Sequence, residues 1–222
     1  MNAPFRVVLI LISVNIYSQS LTESFQSTSD RSDYIKMGSI VSTADVIPEF
    51  RSNKKVIISP IILNLNKDNT IAPIIAAKIK ISWNLSFTGR LASYATDNRT
   101  VQSFGWGLMF KPGNQEDSSP WKFSIDSGSY RSFQKITSST LKTSIYRLIS
   151  FKKYNLIIGY SASSIKANDY SSSELKDKYS IKENISFISA GTMVNYRSIN
   201  VVPRILINTN IAVTSIEFQK QF

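Results

Sequence analysis

From Lys78 to Arg90 the chain reads KIKISWNLSFTGR, with Ile79, Ile81, Trp83, Leu85 and Phe87 apolar and polar or charged residues alternating between them. A period of two sends successive side chains to opposite faces of a β-strand, whereas a helix requires a period near 3.6. The stretch therefore constrains the chain to a sheet with one apolar and one polar face. Two environments would cover the apolar face equally well, the core of a soluble protein or lipid.

The alternation recurs. In VQSFGWGLMFK (101–111), Phe104, Trp106, Leu108 and Phe110 share one face and Ser103, Gly105 and Gly107 the other. In PWKFSIDSGSYRS (120–132), Trp121, Phe123 and Ile125 oppose Lys122, Ser124 and Asp126. Nine stretches rich in β-branched and aromatic residues follow one another from Tyr34, at 34–47, 54–65, 70–88, 100–111, 120–133, 139–151, 155–167, 180–197 and 202–222. Clusters of Asn, Asp, Gly, Pro and Ser separate them, the punctuation expected between strands. No helix is predicted among them, and no compositional break marks a second domain.

The last stretch contains NTN at 208–210, where its apolar positions change phase from Ile205, Ile207, Ile211 and Val213 to Ile216, Phe218 and Phe222. Dividing it there gives ten strands; eight remain if the first stretch or the short ninth stays out of the wall. An even number of antiparallel strands with both ends on one side is the plan of a closed transmembrane β-barrel. The connections NKDN (66–69), KKYN (152–155) and SINV (198–201) are compact and PGNQEDSSP (112–120) is the longest of that set. TGRLASYATDNRT (88–100) and NDYSSSELKDKYS (168–180) are longer and more polar. Short and long connections thus tend to alternate, as periplasmic turns and external loops do in such barrels.

The N-terminus reads MNAPFRVVLILISVNIYSQS, with a basic Arg6, an apolar run from Val7 to Ile12 extending to Ile16, and small residues at Ser18 and Ser20. This is the layout of a secretory signal peptide, and the run is shorter than the roughly 20 residues of a spanning helix. Residues 1–20 are read as that signal, cleaved at Ser18 or Ser20, 21–33 as a flexible polar lead-in, and 34–222 as the barrel. The far end, SIEFQKQF, stops on Phe222. With this ending and the strand–turn–strand segment SPIILNLNKDNTIAP (59–73), the chain resembles bacterial outer-membrane β-barrel proteins, in particular small porin-like barrels of Gram-negative bacteria. The resemblance implies a cell outer-membrane location, contact with membrane lipid and lipopolysaccharide, and Phe218 and Phe222 as the signal read by the barrel-insertion machinery. The terminal pattern departs from the family's in lacking a glycine near its start.

Composition removes whole classes of chemistry. The chain has no histidine and no cysteine, which excludes imidazole triads, thiolate nucleophiles, disulfides and Cys/His zinc sites. Enzymes among outer-membrane barrels, such as phospholipases, omptin-like proteases and lipid acyltransferases, rely on histidine, so no catalysis and no cofactor are expected. Neither NKDN nor NQED supplies the ligand set of a calcium loop, and no metal site is expected. Lysine and arginine total 26 against 15 acidic residues, a net charge of +11. They form no run denser than NKK (53–55) or FKK (151–153), so nucleic acid is not an expected partner.

On the polar face of the opening stretch, Lys78, Lys80, Ser82, Asn84 and Arg90 are expected to line the lumen. Cations there would select anions or fill the interior as a hydrogen-bonded plug. Ile79, Ile81, Trp83, Leu85 and Phe87, with Phe104, Trp106 and Trp121, are expected to face lipid or form the aromatic girdle. The reading is a structural, adhesive or narrow-pore barrel; its rival is a secreted or periplasmic β-sandwich or lipocalin-like barrel holding a small or lipidic ligand. An apolar exterior would identify the first and an apolar interior the second.

Overall fold

The computed structural model describes residues 28–222 except 48–49, 51–52, 66–69, 97–98, 117–118, 133–135, 152–153 and 170–178. The signal reading of 1–20, residues 21–27 of the lead-in and the NKDN turn lie outside the described residues. Ten strands form the wall: β1 (Val56–Leu65), β2 (Thr70–Lys80), β3 (Leu85–Thr96), β4 (Arg99–Phe110), β5 (Trp121–Ser132), β6 (Ile136–Ser150), β7 (Tyr154–Asp169), β8 (Tyr179–Tyr196), β9 (Ile199–Ile207) and β10 (Ala212–Gln221). Each pairs antiparallel with its neighbours in sequence, and β10 returns to β1 to close the barrel. Closure leaves no free sheet edge. It is finished at the C-terminus, where the Phe222 amide donates to the Val56 carbonyl (2.9 Å) and the Lys55 amide to the Phe222 carbonyl (3.0 Å).

The ten strands are not the ten stretches read from the sequence. The stretch 70–88 is two strands, β2 and β3, because the chain reverses at 81–84. Amides of Ile81 and Ser82 donate to the Leu85 carbonyl at 2.9 and 3.0 Å, and the Ser82 hydroxyl accepts the Leu85 amide at 3.0 Å while donating to Asn84 at 2.7 Å. Serine and asparagine stabilise turns by such local bonds. The alternation passes through this turn unbroken because paired residues of a hairpin share a face, and Ile79 lies opposite Phe87. A hairpin thus imitated one long strand.

The two rims can now be assigned. The near rim holds the start of β1, the end of β10 and the connections 81–84, 111–120, 151–153 and 197–198. The far rim holds 66–69, 97–98, 133–135, 170–178 and 208–211. The expected sorting of short and long connections by side holds only in part: 111–120 and 170–178 do lie on opposite rims, but the compact 66–69 shares the far rim with 170–178, and the long connection expected at 88–100 is mostly strand, β3 and β4 being joined at 97–98. The additional reversal at 81–84 moves only 66–69, the connection before it, to the far rim; 111–120, 151–153 and 197–198 stay together on the near rim, opposite 170–178.

Inside the wall runs α1 (Thr28–Ser42), followed by an extended segment to Ile47. This overturns the first strand expected within 34–47 and the lead-in over 28–33. Met37, Ile40, Val41 and Ala44 fall at i, i+3, i+4 and i+7, a helical spacing, and all four are buried. An enclosed segment has no sheet edge to pair with, and a helix satisfies its backbone internally. Near the far rim, the Tyr34 hydroxyl donates to Ser132 (2.7 Å) and Lys36 pairs with Glu183 (3.0 Å). The chain therefore descends the lumen from the far rim and reaches β1 at the near one.

Candidate functional site in the barrel lumen

The upper lumen is an apolar seat for α1. Ile35, Ile40 and Val41 share one buried cluster with Leu63, Ile74, Tyr130, Ile165, Phe187 and Leu206. This accounts for the near-continuous apolar run VIISPIILNL of β1, whose Ile61, Leu63 and Leu65 pack inward on the cluster while Ile58 and Ile62 are exposed on the apolar outer face. A fully buried aliphatic side chain contributes about 1.5–3 kcal/mol. The fit depends on missing side chains. A Cβ on Gly38 would stand 2.6 Å from the Tyr130 ring, and on Gly105 it would stand 1.9 Å from the Ser42 carbonyl oxygen. Gly105 faces Gly128 across the β4–β5 register, and the pair leaves the space that Ser42 occupies.

The helix ends where its backbone acceptors are claimed by other donors. Besides its helical bond from the Thr43 amide (3.1 Å), the Ser39 carbonyl receives the hydroxyls of Ser42 (3.0 Å) and Thr43 (2.8 Å); such side-chain bonds compete with helix continuation. Below it, wall side chains take over. Lys142 donates to the Thr43 carbonyl and Arg204 to that of Asp45. Lys78 donates to Val46 at 2.8 Å and Gln219 to Ile47 at 3.0 Å. Four carbonyls of a five-residue segment are thus held from β6, β9, β2 and β10. Cations at a helix C-terminus also complement its dipole.

Charges complete the clasp. The Asp45 carboxylate pairs with Lys142 and lies 3.6 Å from Arg204, which is in turn 3.8 Å from Glu217. Arg90 pairs with Asp126, whose other oxygen accepts the Ser124 hydroxyl at 2.8 Å. Beneath this polar layer Ile47 packs with Met109, Tyr146, Leu148, Ile157, Met193 and Val202. The lumen is filled from apolar seat through charged clasp to apolar base.

Of the five residues expected in the lumen, Lys78 and Arg90 are buried inside. Lys80 is half-buried at the near end of β2. Ser82 and Asn84 do not line the lumen; they build the 81–84 turn, Ser82 exposed and Asn84 half-buried. The reading missed Lys142, Arg204, Glu217, Gln219 and, above all, Asp45. Their signal was present: Lys142 alternates with exposed Leu141, and Arg204 with Ile205. Glycines on the polar face at 105 and 128 were the mark of a second body inside.

The outer surface is apolar. Ile79, Ile81, Trp83, Phe87, Phe104, Trp106 and Trp121 are exposed, and Leu85 is half-exposed. Ile71, Ile75, Leu91, Ile125 and Ile188 join them at 60, 47, 62, 56 and 65%, levels that would be unfavourable in water. Phe87 stacks on Trp106 (6.5 Å between ring centres). At the C-terminus, Phe222 is exposed and Phe218 half-buried.

A closed antiparallel wall, apolar outside and charged within, is a membrane-spanning β-barrel, here of ten strands with its own N-terminal segment in the lumen. No family model matches the sequence, and no curated protein matches it. Solved outer-membrane barrels are similar at low identity. The autotransporter NalP translocator domain from Neisseria meningitidis shares 10% identity at a TM-score of 0.46, over 87% of this chain and 98% of that one. The transport unit of autotransporter AIDA-I from Escherichia coli shares 10% at 0.42, over 89% and 99%, and the KdgM porin 7% at 0.42, over 75% and 99%. The assignment of class rests on the wall and its two surfaces.

Proposed function

We propose that this chain is an outer-membrane barrel held shut by its own segment 28–47, with a structural or adhesive role and no standing pore. The observation that carries this reading is the clasp of four carbonyls between Thr43 and Ile47 by side chains from four wall strands. The outward Ile79, Ile81, Trp83, Leu85, Phe87, Phe104, Trp106 and Trp121 face lipid or its interface, lipopolysaccharide contacts the leaflet beside the external rim, and Phe218 with Phe222 serves the insertion machinery. Were the segment displaced, the lumen would prefer anions. Buried on the wall are Lys78, Arg90, Lys122, Lys142 and Arg204 against Asp126 and Glu217.

Fractionation with heat-modifiable gel migration tests the membrane reading. The unheated protein is expected in the outer-membrane fraction and to migrate faster than after boiling; recovery in the soluble periplasm without a shift would contradict it. A second expectation concerns the outer face. Phe104 lies at the middle of β4 and is 53% exposed, so Phe104→Arg should cost about 2–4 kcal/mol of stability in liposomes, as cations do near the bilayer midplane. Denaturant titration in vesicles measures it.

A further inference from the structure

The near rim is basic and aromatic at once. Lys55, Lys80, Lys111, Arg147, Arg197 and Lys220 stand there exposed or half-exposed, and Glu116 is the one exposed carboxylate at that rim among the described residues. Three of the cations lie against rings: Arg147 on Trp121, Arg197 on Tyr196 and Lys220 on Phe222, each 5.4 Å from the ring centre. The pairs are spaced along the arc from β5 to β10, on β5–β6, at the end of β8 and at the end of β10, and Lys55, Lys80 and Lys111 continue the basic rim past β1 to β4. At the other end, the outward residues Ser129, Arg131, Ser164, Lys166, Lys182 and Asn184 are exposed and carry no ring among them.

Interfacial aromatic rings settle at the depth of lipid headgroups. A cation stacked on such a ring is held at that depth and cannot extend freely into water, so its charge is fixed where lipid phosphates lie. Arginine stacked by its face keeps its N–H edge for a phosphate, which it can meet with two parallel bonds. We infer that the near rim is a binding collar for anionic glycerophospholipid headgroups, which selects them over zwitterionic ones in the adjoining leaflet. This rests on the membrane-barrel reading. The occupant follows from charge complementarity: a zwitterionic headgroup brings its own cation to the same plane and gains less from the collar.

The test is quenching of tryptophan fluorescence in vesicles of phosphatidylcholine containing brominated phosphatidylglycerol or brominated phosphatidylcholine, with Trp121 beside one of the pairs. The protein is expected to associate about fivefold or more in favour of phosphatidylglycerol, the effect of one well-placed cation near an anionic surface. The triple variant Arg147→Gln, Arg197→Gln, Lys220→Gln should lose the preference, and Arg147→Lys with Arg197→Lys should keep most of it. Equal quenching by both lipids, or a preference unchanged in the triple variant, would overturn the collar alone. Loss of the preference in millimolar inorganic phosphate at constant ionic strength would also overturn it, because the site would then take free phosphate. Absence of quenching by either lipid would overturn the membrane reading as well.

Discussion

Asp45→Ala is expected to open the barrel. In planar bilayers the parent protein should be silent, whereas the variant should show conductance steps with anion preference. Asp45 is the carboxylate of the lumenal segment that meets Lys142 and Arg204, and all three side chains are buried. Removing one partner of a buried ion pair costs about 3–5 kcal/mol because the remaining charge is left uncompensated. Here two cations are left beside each other, with the carbonyls of Thr43 and Asp45 as their acceptors on the segment. The least costly relief is to admit water and anions by unseating residues 43–47. Asp45→Asn keeps an acceptor and should have a smaller effect, and adding Lys142→Met to Asp45→Ala should restore part of the closure. A silent Asp45→Ala barrel of unchanged stability would show that the clasp does not hold the segment.

The second large effect is steric and needs no charge. Gly105→Val would place its Cβ 1.9 Å from the carbonyl oxygen of Ser42, and Gly128→Val would place it 2.4 Å from the Ser42 hydroxyl and 2.7 Å from its Cβ. The obstacle at Gly105 is backbone, which cannot rotate away as a long side chain would. Overpacking a filled interior costs about 1–3 kcal/mol per site, and the two sites meet the same residue, so their effects should not add. Each variant should keep a closed wall, still heat-modifiable, while segment 28–47 becomes open to protease. Gly89→Ala is the control, since a Cβ there has nothing within 4 Å, and it should leave the segment protected.

The wall was legible from local pattern, and the lumen was not. Period-two alternation marks which residues face outward, and it named Ile79, Phe104, Trp106 and Trp121 without any knowledge of pairing. The same regularity concealed the 81–84 turn, because a four-residue connection carries the phase from β2 into β3. Ten strands emerged from the sequence with one false member, 34–47, and one missed division, within 70–88. The helix was obscured because its surroundings are closed on all sides: TSDRSDYIKMGSIVS needs no polar stripe facing water, so the usual two-faced pattern is weak. The clasp depends on Lys78, Lys142, Arg204 and Gln219, which are far apart in sequence and converge only when the barrel closes. Asp45 sits in STADVI, where nothing local distinguishes it from a surface carboxylate.

A barrel closed by its own segment implies a fixed place for α1 against β6, where the Thr140 hydroxyl donates to Ser39 Oγ at 2.8 Å. The chain contains no cysteine, so Ser39→Cys with Thr140→Cys introduces a single pair into the membrane-inserted protein. Mass spectrometry after mild oxidation reads the outcome directly. Near-complete formation of the intramolecular disulfide is the predicted result; two free thiols in a folded, heat-modifiable barrel would contradict the account.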